Sequence, residues 1–191
     1  MFSKYKGNYR YLKTQPIRIG IFTIALLLMC AAVFMTGFIL KGDSKNIFTV
    51  VAVLGMLPVA KMIVSFIMYI KAEKYTCPED LHKKIEDILK GIDVCYGYDF
   101  YLTSYKENFP LLSAAVFDDS LVCLTVKSKS DIKECKEHIE KYLNTNSIQG
   151  FKVYILDSEE KYLDRLKSID SSYTKNESER TAFALIKNLS L

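Results

Sequence analysis

The sequence of 191 residues predicts a two-helix transmembrane hairpin followed by an α/β (α+β) domain. The first observation behind this fold class is a pair of apolar runs, residues 19–40 and 47–70, which only six residues separate. Each run is long enough to cross a hydrocarbon core of about 30 Å as a helix. The second observation is the pattern after residue 75, where apolar residues recur with the periods of helices and strands, as they do in a packed domain.

Charge divides the chain at nearly the same point. Residues 1–74 contain ten Lys or Arg residues and two acids, whereas the rest of the chain contains sixteen Lys or Arg residues and twenty acids. A basic segment beside a membrane attracts anionic lipid. We therefore expect four parts: a basic juxtamembrane segment (1–18), transmembrane helices at 19–40 and 47–70, and a cytoplasmic α/β domain at 75–191.

Basic residues are concentrated on the outer flanks of the two apolar runs. The predicted contacts with anionic lipid of the bilayer are Lys4, Lys6, Arg10, Lys13, Arg18, Lys71 and Lys74. The connecting loop holds only Lys41 and Lys45. Because cytoplasmic flanks carry the excess of Lys and Arg, we expect an integral membrane protein with two spans and both termini in the cytoplasm, in the cell membrane of a bacterium.

The segment before Pro16 has two interpretations. Tyr5, Tyr9 and Leu12 recur at helical spacing beside basic residues, which predicts a short interfacial helix ending before Pro16. Gly7 weakens a helix at this place, and a disordered basic leader is the alternative.

Lys61 is the one charged residue within the second apolar run. It is either an intramembrane polar site that contacts another subunit or a lysine whose long stem carries its ammonium toward the cytoplasmic end. A charge at a helix centre costs about 2.5–3.5 kcal/mol on insertion, and the Val, Leu, Ile and Phe residues of the run outweigh this cost. Small residues in both runs, among them Gly20, Gly37 and Gly55, would let the two helices approach closely.

The elements of the domain follow in the order α-β-β-β-α-β-α-α, which predicts one mixed sheet of about four strands covered by helices. The strands are predicted at 94–104, 111–117, 121–126 and 151–156. The third is apolar on both faces and should lie inside the sheet. Asp118 and Asp119 predict a hairpin turn before it. Three residues are predicted to cap helices: Thr76, Ser128 and Asp157.

The sequence contains five cysteines and two histidines, which are candidates for metal ligands or reactive groups. None of them forms the closely spaced pairs that a zinc site needs, and Cys123 and Cys135 are predicted to be small core residues. No phosphate-binding loop or nucleophile-elbow motif occurs. We therefore expect no metal, no cofactor and no catalytic residue, and the chain is not expected to be an enzyme.

The element order and the third strand resemble a known enzyme core. Across residues 78–156 the order α-β-β-β-α-β, with Leu-Val-Cys-Leu-Thr-Val-Lys at 121–127, is similar to a degenerate core of the PD-(D/E)xK nuclease family. The resemblance implies a divalent-metal site made by an acid on the second strand and Glu-x-Lys on the third, with Lys127 as the lysine. Thr125 stands at the glutamate position and Leu112 or Ser113 at the acid position, so the resemblance implies no active nuclease.

These observations lead to three hypotheses of function. The first is a membrane-anchored protein whose non-catalytic cytoplasmic α/β domain serves protein interaction or assembly, with an unknown protein partner or a second copy of the chain. The second is a degenerate nuclease-like domain that binds nucleic acid, although the acidic domain is not expected to attract a phosphate backbone. The third is a transport-related subunit of an oligomer that uses Lys61.

Overall fold

The computed structural model describes residues 5–43, 46–104, 107–126, 129–148 and 150–191. These residues form two compact units. Lys13–Glu73 make up the first, which we call the hairpin unit. The described part of Met1–Leu12 joins Lys74–Leu191 in the second, which we call the globular unit. The predicted boundary at residue 18 therefore differs from the structure, because residues 5–12 belong with the domain.

Two long helices, α1 (Tyr11–Lys41) and α2 (Ile47–Glu73), form the hairpin unit, except that Tyr11 and Leu12 at the start of α1 belong to the globular unit. α1 begins eight residues before the predicted start at residue 19 and continues through Pro16. The prediction of a separate helix ending before Pro16 is wrong. Pro16 stands in the second turn of α1, where its missing amide removes only the hydrogen bond to the carbonyl of Leu12.

The two helices pack antiparallel along a row of small residues. A side-chain carbon on Gly55 would lie 2.8 Å from Cys30 Sγ, and one on Gly20 would lie 3.2 Å from the ring of Phe66. Gly37 faces Phe48 in the same way at the other end of the pair. The small residues thus allow the close approach that the sequence predicted, because larger side chains would push the helices apart.

The outer surface of both helices is apolar. Only 11% of the most apolar 18-residue stretch of each helix is buried within the structure. The exposed residues include large side chains such as Phe22, Leu28, Ile39 and Leu57. Both helices are long and apolar enough to cross a membrane.

The globular unit contains a four-stranded mixed sheet in the order β1-β2-β3-β4. The strands are β1 (Cys95–Thr103), β2 (Asn108–Phe117), β3 (Ser120–Thr125) and β4 (Lys152–Leu156). β1, β2 and β3 pair antiparallel in sequence, and β4 pairs parallel to β3. β3 therefore lies inside the sheet with every residue buried, as predicted.

Helices cover both faces of this sheet. α4 (Lys129–Thr145) and α6 (Glu177–Leu189) pack on one face, through residues such as Ile139 and Ile186. α3 (Glu79–Leu89) and α5 (Glu159–Lys167) pack on the other face, through residues such as Ile85 and Leu166. The element order α-β-β-β-α-β-α-α is the predicted one, and the unit is a three-layer α+β domain.

β2 begins earlier than predicted and includes Pro110. Pro110 pairs with Tyr101 of β1, but it lies beyond the last β2–β3 pair, which joins Leu111 and Thr125. The missing amide of a proline is tolerated at such a position, since a strand neighbours it on one side only. The β2–β3 turn forms at Asp118 and Asp119 as predicted, and both residues have φ near +50° (46° and 49°).

Helix caps differ from the prediction. The residue before α3 is Pro78, and the one before α5 is Ser158, and neither side chain caps its helix. Thr76 therefore stands two residues before the N-cap position of α3, and Asp157 one residue before that of α5. Ser128 lies outside the described residues. A complete capping box forms instead at α6, where Asn176 accepts from the amide of Glu179 and the Glu179 carboxylate accepts from the amide of Asn176.

Candidate functional sites

The basic residues predicted to contact lipid fall into different surroundings. Lys4 lies outside the described residues. Lys6 Nζ donates a hydrogen bond to the carbonyl of Ser190 at 2.6 Å, and its partial burial lowers the pKa of the ammonium. Arg10 pairs with Glu79 at 3.2 Å. Lys6 and Arg10 therefore bind partners within the globular unit, and contact of either side chain with lipid stays a prediction.

The remaining basic residues are more open to solvent. Lys13 and Lys71 are exposed and Arg18 is partly exposed, all three in the hairpin unit. Lys74 is exposed in the globular unit, and its ammonium lies 4.9 Å from the centre of the Tyr75 ring. Lys61 is exposed on α2, and its carbonyl accepts a hydrogen bond from Ser65 Oγ one turn later.

Residues 5–12 form what we call the N-terminal strap, which packs on the globular unit. The carbonyl of Gly7 accepts a hydrogen bond from the amide of Tyr98 in β1 at 2.9 Å. The ring of Tyr9 stacks on His82 of α3, with centroids 3.9 Å apart. Leu12 is fully buried. Sequence reasoning missed this strap, because its contacts all join residues far apart in the chain.

Both ends of the chain cover the outer edge of β1. The strap occupies this edge at Tyr98, and the C-terminal residues occupy it further along. Tyr101 donates its amide to Ser190 Oγ at 2.9 Å and accepts from the amide of Leu191 at 3.0 Å. An edge strand with unpaired backbone groups is a site of unwanted pairing, and the two chain ends satisfy several of these groups.

Asp99 connects the strap to β1 and to the segment before α3. It is 1% exposed and has φ of +58°, a left-handed conformation that Asp tolerates better than most residues. Its Oδ1 accepts a hydrogen bond from the amide of Cys77 at 2.7 Å. Burial raises the pKa of Asp99 to about 6, and the amides of Cys77 and of strap residues Arg10, Tyr11 and Leu12 partly oppose this shift. Asp99 thus joins the segment before α3 to β1 through a buried carboxyl group.

Glu86 of α3 organises a cluster of aromatic side chains beside the strap. It accepts hydrogen bonds from Tyr98 at 2.9 Å and from Tyr96 at 3.2 Å. Burial raises the pKa of both tyrosines, and the nearby carboxylate raises each further. The phenols therefore stay protonated and act as donors. This cluster, with Tyr9 and His82 stacked beside it, holds the strap against α3 and β1.

A buried acid of α6 performs a similar task at the β2–β3 turn. Glu179 is fully buried and accepts hydrogen bonds from Tyr173 and from the amide of Asp119. The Tyr173 hydroxyl in turn accepts from the amide of Asp118. These bonds fix the β2–β3 turn to the start of α6, so the acids near the turn serve the fold.

The positions that carry the nuclease resemblance hold no carboxylate cluster. Thr125 is buried, and its hydroxyl donates to the carbonyl of Pro110 at 2.8 Å. Ser113 is buried and bonded to the carbonyl of Gly97 and to Tyr162, each at 2.9 Å. Asp118 lies beyond the opposite end of β3 from Thr125, and β3 itself is about 17 Å long at 3.3 Å per residue. Lys127 lies outside the described residues.

The globular unit has a small polar pocket of about 300 Å³ where β1 ends and β2 begins. Its described lining consists of Tyr75, Tyr101, Glu107, Asn108, Pro110 and Asp131. The rings of Tyr75 and Tyr101 face each other with centroids 6.1 Å apart. The pocket is open, and its polar groups are of the kind that bind water or a small polar molecule weakly.

Cysteines and histidines make no reactive site in the described part of the chain. All five cysteines are free and buried, and burial raises the pKa of the Cys77 thiol to about 12. Cys123 and Cys135 lie in the core of the α4–α6 face, as predicted. Burial lowers the pKa of His138. Among the described residues no three His, Cys, Asp or Glu side chains are arranged to hold a metal ion.

Comparisons of this chain with protein-family models, with curated proteins and with solved structures found no match.

Proposed function

We propose that this chain is a membrane-anchored protein whose hairpin unit spans a bilayer. The observation that carries the proposal is the exterior of α1 and α2, where large apolar side chains are exposed along both helices. The helices are 31 and 27 residues long, or about 46 and 40 Å at 1.5 Å per residue. Both lengths exceed the hydrocarbon core of about 30 Å, and such a surface is stable in lipid and unstable in water.

The proposed topology has both termini in the cytoplasm and the loop between the helices outside. Its support is that the globular unit is built from residues that precede the hairpin unit in the sequence and residues that follow it. Two segments that fold into one unit lie on the same side of a membrane. The chain between them therefore crosses the membrane an even number of times. The Lys and Arg excess on the outer flanks favours the cytoplasmic side, and the proposed location is a bacterial cell membrane.

We assign the globular unit a non-catalytic role in protein interaction or assembly. The support is the use of its buried polar groups: Asp99, Glu86 and Glu179 each accept hydrogen bonds that hold the strap, the helices or a turn. Burial and perturbed pKa values also occur in structural networks. The partner is another protein or a second copy of the chain, and anionic lipid contacts the basic flanks.

Cysteine labelling in intact cells tests the topology. All five native cysteines are buried, so a single introduced cysteine supplies the accessible thiol. We expect Asp43→Cys in the loop between the helices to react with a membrane-impermeant maleimide in intact cells. Ser171→Cys, at an exposed position of the globular unit, should react only after lysis. Labelling of Ser171→Cys in intact cells would contradict the topology, and release of the chain by carbonate washing would contradict insertion.

The second candidate is a degenerate nuclease-like domain that binds nucleic acid. The observation favouring it is the strand order, with a polar pocket at the sheet end where Thr125 terminates β3. Retention of DNA or RNA by the purified chain at low salt would favour this candidate, since low salt strengthens phosphate contacts.

The third candidate is a transport-related subunit that uses Lys61. Its support is the exposed position of Lys61 in the middle of α2, where a charged side chain facing lipid is costly. Two helices do not enclose a pore, so this candidate needs an oligomer. A Lys61→Leu variant with unchanged assembly and activity would remove its basis.

A further inference from the structure

The hairpin unit carries an open groove of about 400 Å³ between the first turns of α1 and the last turns of α2. Apolar side chains from both helices line it: Pro16, Ile17, Ile21 and Ile24 of α1, and Phe66 and Ile70 of α2. The isoleucines at its rim are between 47% and 63% exposed. Their apolar surface is therefore available to a ligand in the groove.

Gly20 gives the groove its depth. It lies between Ile17 and Ile21 on α1 and has no side chain to fill the space. A side-chain carbon at this position would come within 3.2 Å of the Phe66 ring. The floor of the groove is consequently the backbone of α1 and the edge of that ring, and it is apolar.

Charged residues occur at one end of the groove only. Lys13 and Glu73 line this end, and the rest of the described lining is uncharged. Lys13 is exposed, and its ammonium makes no hydrogen bond or ion pair with the part of the chain that the structure describes. The Lys13 cation at the end of an apolar groove matches an amphipathic ligand with a phosphate in its head and a hydrocarbon tail, and the Glu73 carboxylate beside it suits a head that also carries a hydroxyl donor.

We propose that this groove binds a glycerophospholipid, with one acyl chain along the apolar floor and the phosphate on the Lys13 ammonium. The inference rests on the proposed insertion of the hairpin, because insertion surrounds the groove with phospholipid. A bilayer supplies acyl chains for the floor and phosphates at the depth of the helix ends. The complementarity of charge and shape makes the lipid a ligand bound at one place on the hairpin.

Native mass spectrometry of the purified full chain in detergent micelles tests this site. The two probes are phosphatidylglycerol and a diacylglycerol with the same acyl chains, which lacks the phosphate. We expect the parent chain to retain phosphatidylglycerol at least tenfold better than diacylglycerol. Lys13→Gln should reduce retention of phosphatidylglycerol to the level of diacylglycerol, and Ile21→Trp, which fills the groove, should reduce retention of both lipids.

Two matched variants control for charge and for bulk. Lys71→Gln removes an exposed lysine of α2 that does not line the groove, and Ile39→Trp enlarges an exposed residue at the other end of α1. Both should retain phosphatidylglycerol as the parent does. Equal retention of phosphatidylglycerol by Lys13→Gln and by the parent would overturn the proposal. Displacement of the lipid by inorganic phosphate would also overturn it. So would formation of a dimer that holds no lipid.

The outcome is separable from that of the proposed function. A chain that inserts, as judged by cysteine labelling, but shows no retention dependent on Lys13 overturns the lipid site alone. A chain that does not insert but retains phosphatidylglycerol through Lys13 overturns the membrane anchor and supports the site.

Discussion

Asp99 is the residue on which the N-terminal strap most directly depends. Its carboxyl group is buried, bonded to the amide of Cys77 and surrounded by amides of the strap. Burial nevertheless outweighs these favourable contacts and raises the pKa to about 6 from an ordinary value of 3.8. Compared with the unfolded chain, the folded protein therefore disfavours the ionised carboxylate, which predominates only above about pH 6.

The raised pKa of Asp99 predicts how stability changes with pH. The unfolded chain loses this proton near pH 3.8 and the folded chain near pH 6, so the contribution is complete below pH 3.8 and is lost as pH rises through 6. The change is about 3 kcal/mol at 1.36 kcal/mol per unit. Asp99→Asn stays neutral, and Asn tolerates the left-handed backbone. We expect chemical unfolding of the full chain in micelles to show that the free energy of unfolding of the variant, relative to that of the parent, rises by up to about 3 kcal/mol between pH 4 and 7.

The control is Asp87→Asn, which neutralises an exposed aspartate of the same unit. The difference in free energy of unfolding between Asp87→Asn and the parent should change little with pH. A difference between Asp99→Asn and the parent that stays constant from pH 4 to pH 7 would contradict the assigned pKa and its cause.

Single residues differed in how far their role could be predicted from the sequence. Cys123 and Cys135 were predicted as core residues from their own helix and strand patterns, and both are buried. Asp99 could not be predicted, because the strap amides around it lie far away in the chain. Glu86 bonds two tyrosines only 10 and 12 residues away, but no helical or strand period indicates a contact between a helix and the strand that follows it. The available signal was local: Gly97 in a strand otherwise rich in tyrosine suggests a close backbone neighbour.

At the scale of elements, the types and order of the helices and strands could be predicted from the sequence, whereas the residues at which they begin and end could not. Apolar and β-rich runs between turn residues predicted all four strands, and the apolar third strand was correctly expected inside the sheet. The predicted start of α1 is too late, because it follows the uncharged run that begins at residue 19, whereas the helix continues through Pro16, where a proline in an early turn costs one bond. The predicted caps Thr76 and Asp157 do not stand at the N-cap positions, because α3 and α5 begin one or two residues later than predicted, whereas Asn176 caps α6 with no apolar run directly before it.

The close contact of α1 and α2 predicts a specific crosslink. A side-chain carbon at position 55 would lie 2.8 Å from Cys30 Sγ, which is near the separation found across a disulfide. Gly55→Cys should therefore form an intrachain disulfide with Cys30 under mild oxidation in micelles. Mass spectrometry of peptides after digestion without reduction detects the bond.

Leu54→Cys and Met56→Cys serve as controls, because neighbouring positions on a helix point about 100° away. Neither should crosslink to Cys30 at a comparable rate. Crosslinking at positions 54 and 56 as fast as at position 55 would mean that the helices do not keep the described register.

For the whole molecule, the main finding beyond the sequence is that the globular unit is discontinuous. Residues 5–12 and 74–191 form it together, and the hairpin lies between them in the chain. Charge and hydropathy predicted the division into an apolar and a globular part. They could not assign the strap, since its basic residues have the composition of a juxtamembrane segment.

Gly97 provides a test of the strap as part of the globular unit. A side-chain carbon at this position would lie 2.7 Å from the carbonyl oxygen of Gly7. Gly97→Ala should therefore displace the strap and break the hydrogen bond from the Tyr98 amide. Hydrogen exchange of the full chain in micelles should be faster in the variant at residues 5–12 and at Tyr98.

Exchange in β3 and β4 should be nearly unchanged, because these strands do not contact the strap. Ser171→Ala, at an exposed site, is the matched control and should exchange as the parent does. Unaltered exchange at Tyr98 in Gly97→Ala would show that the strap does not depend on the missing side chain.

The covering of β1 by both chain ends has a consequence for synthesis on the ribosome. The strap is made first, but its binding site on β1 appears about ninety residues later, and Ser190 and Leu191, which bind the same edge, follow after about ninety more. At about 5–20 residues per second, roughly 10–35 s separate the strap from Leu191. During the second half of this interval β1 exists but its edge lacks the partner that Ser190 and Leu191 provide. The strap is therefore the first segment that can cover this edge, and the globular unit closes only after Leu191 has been made.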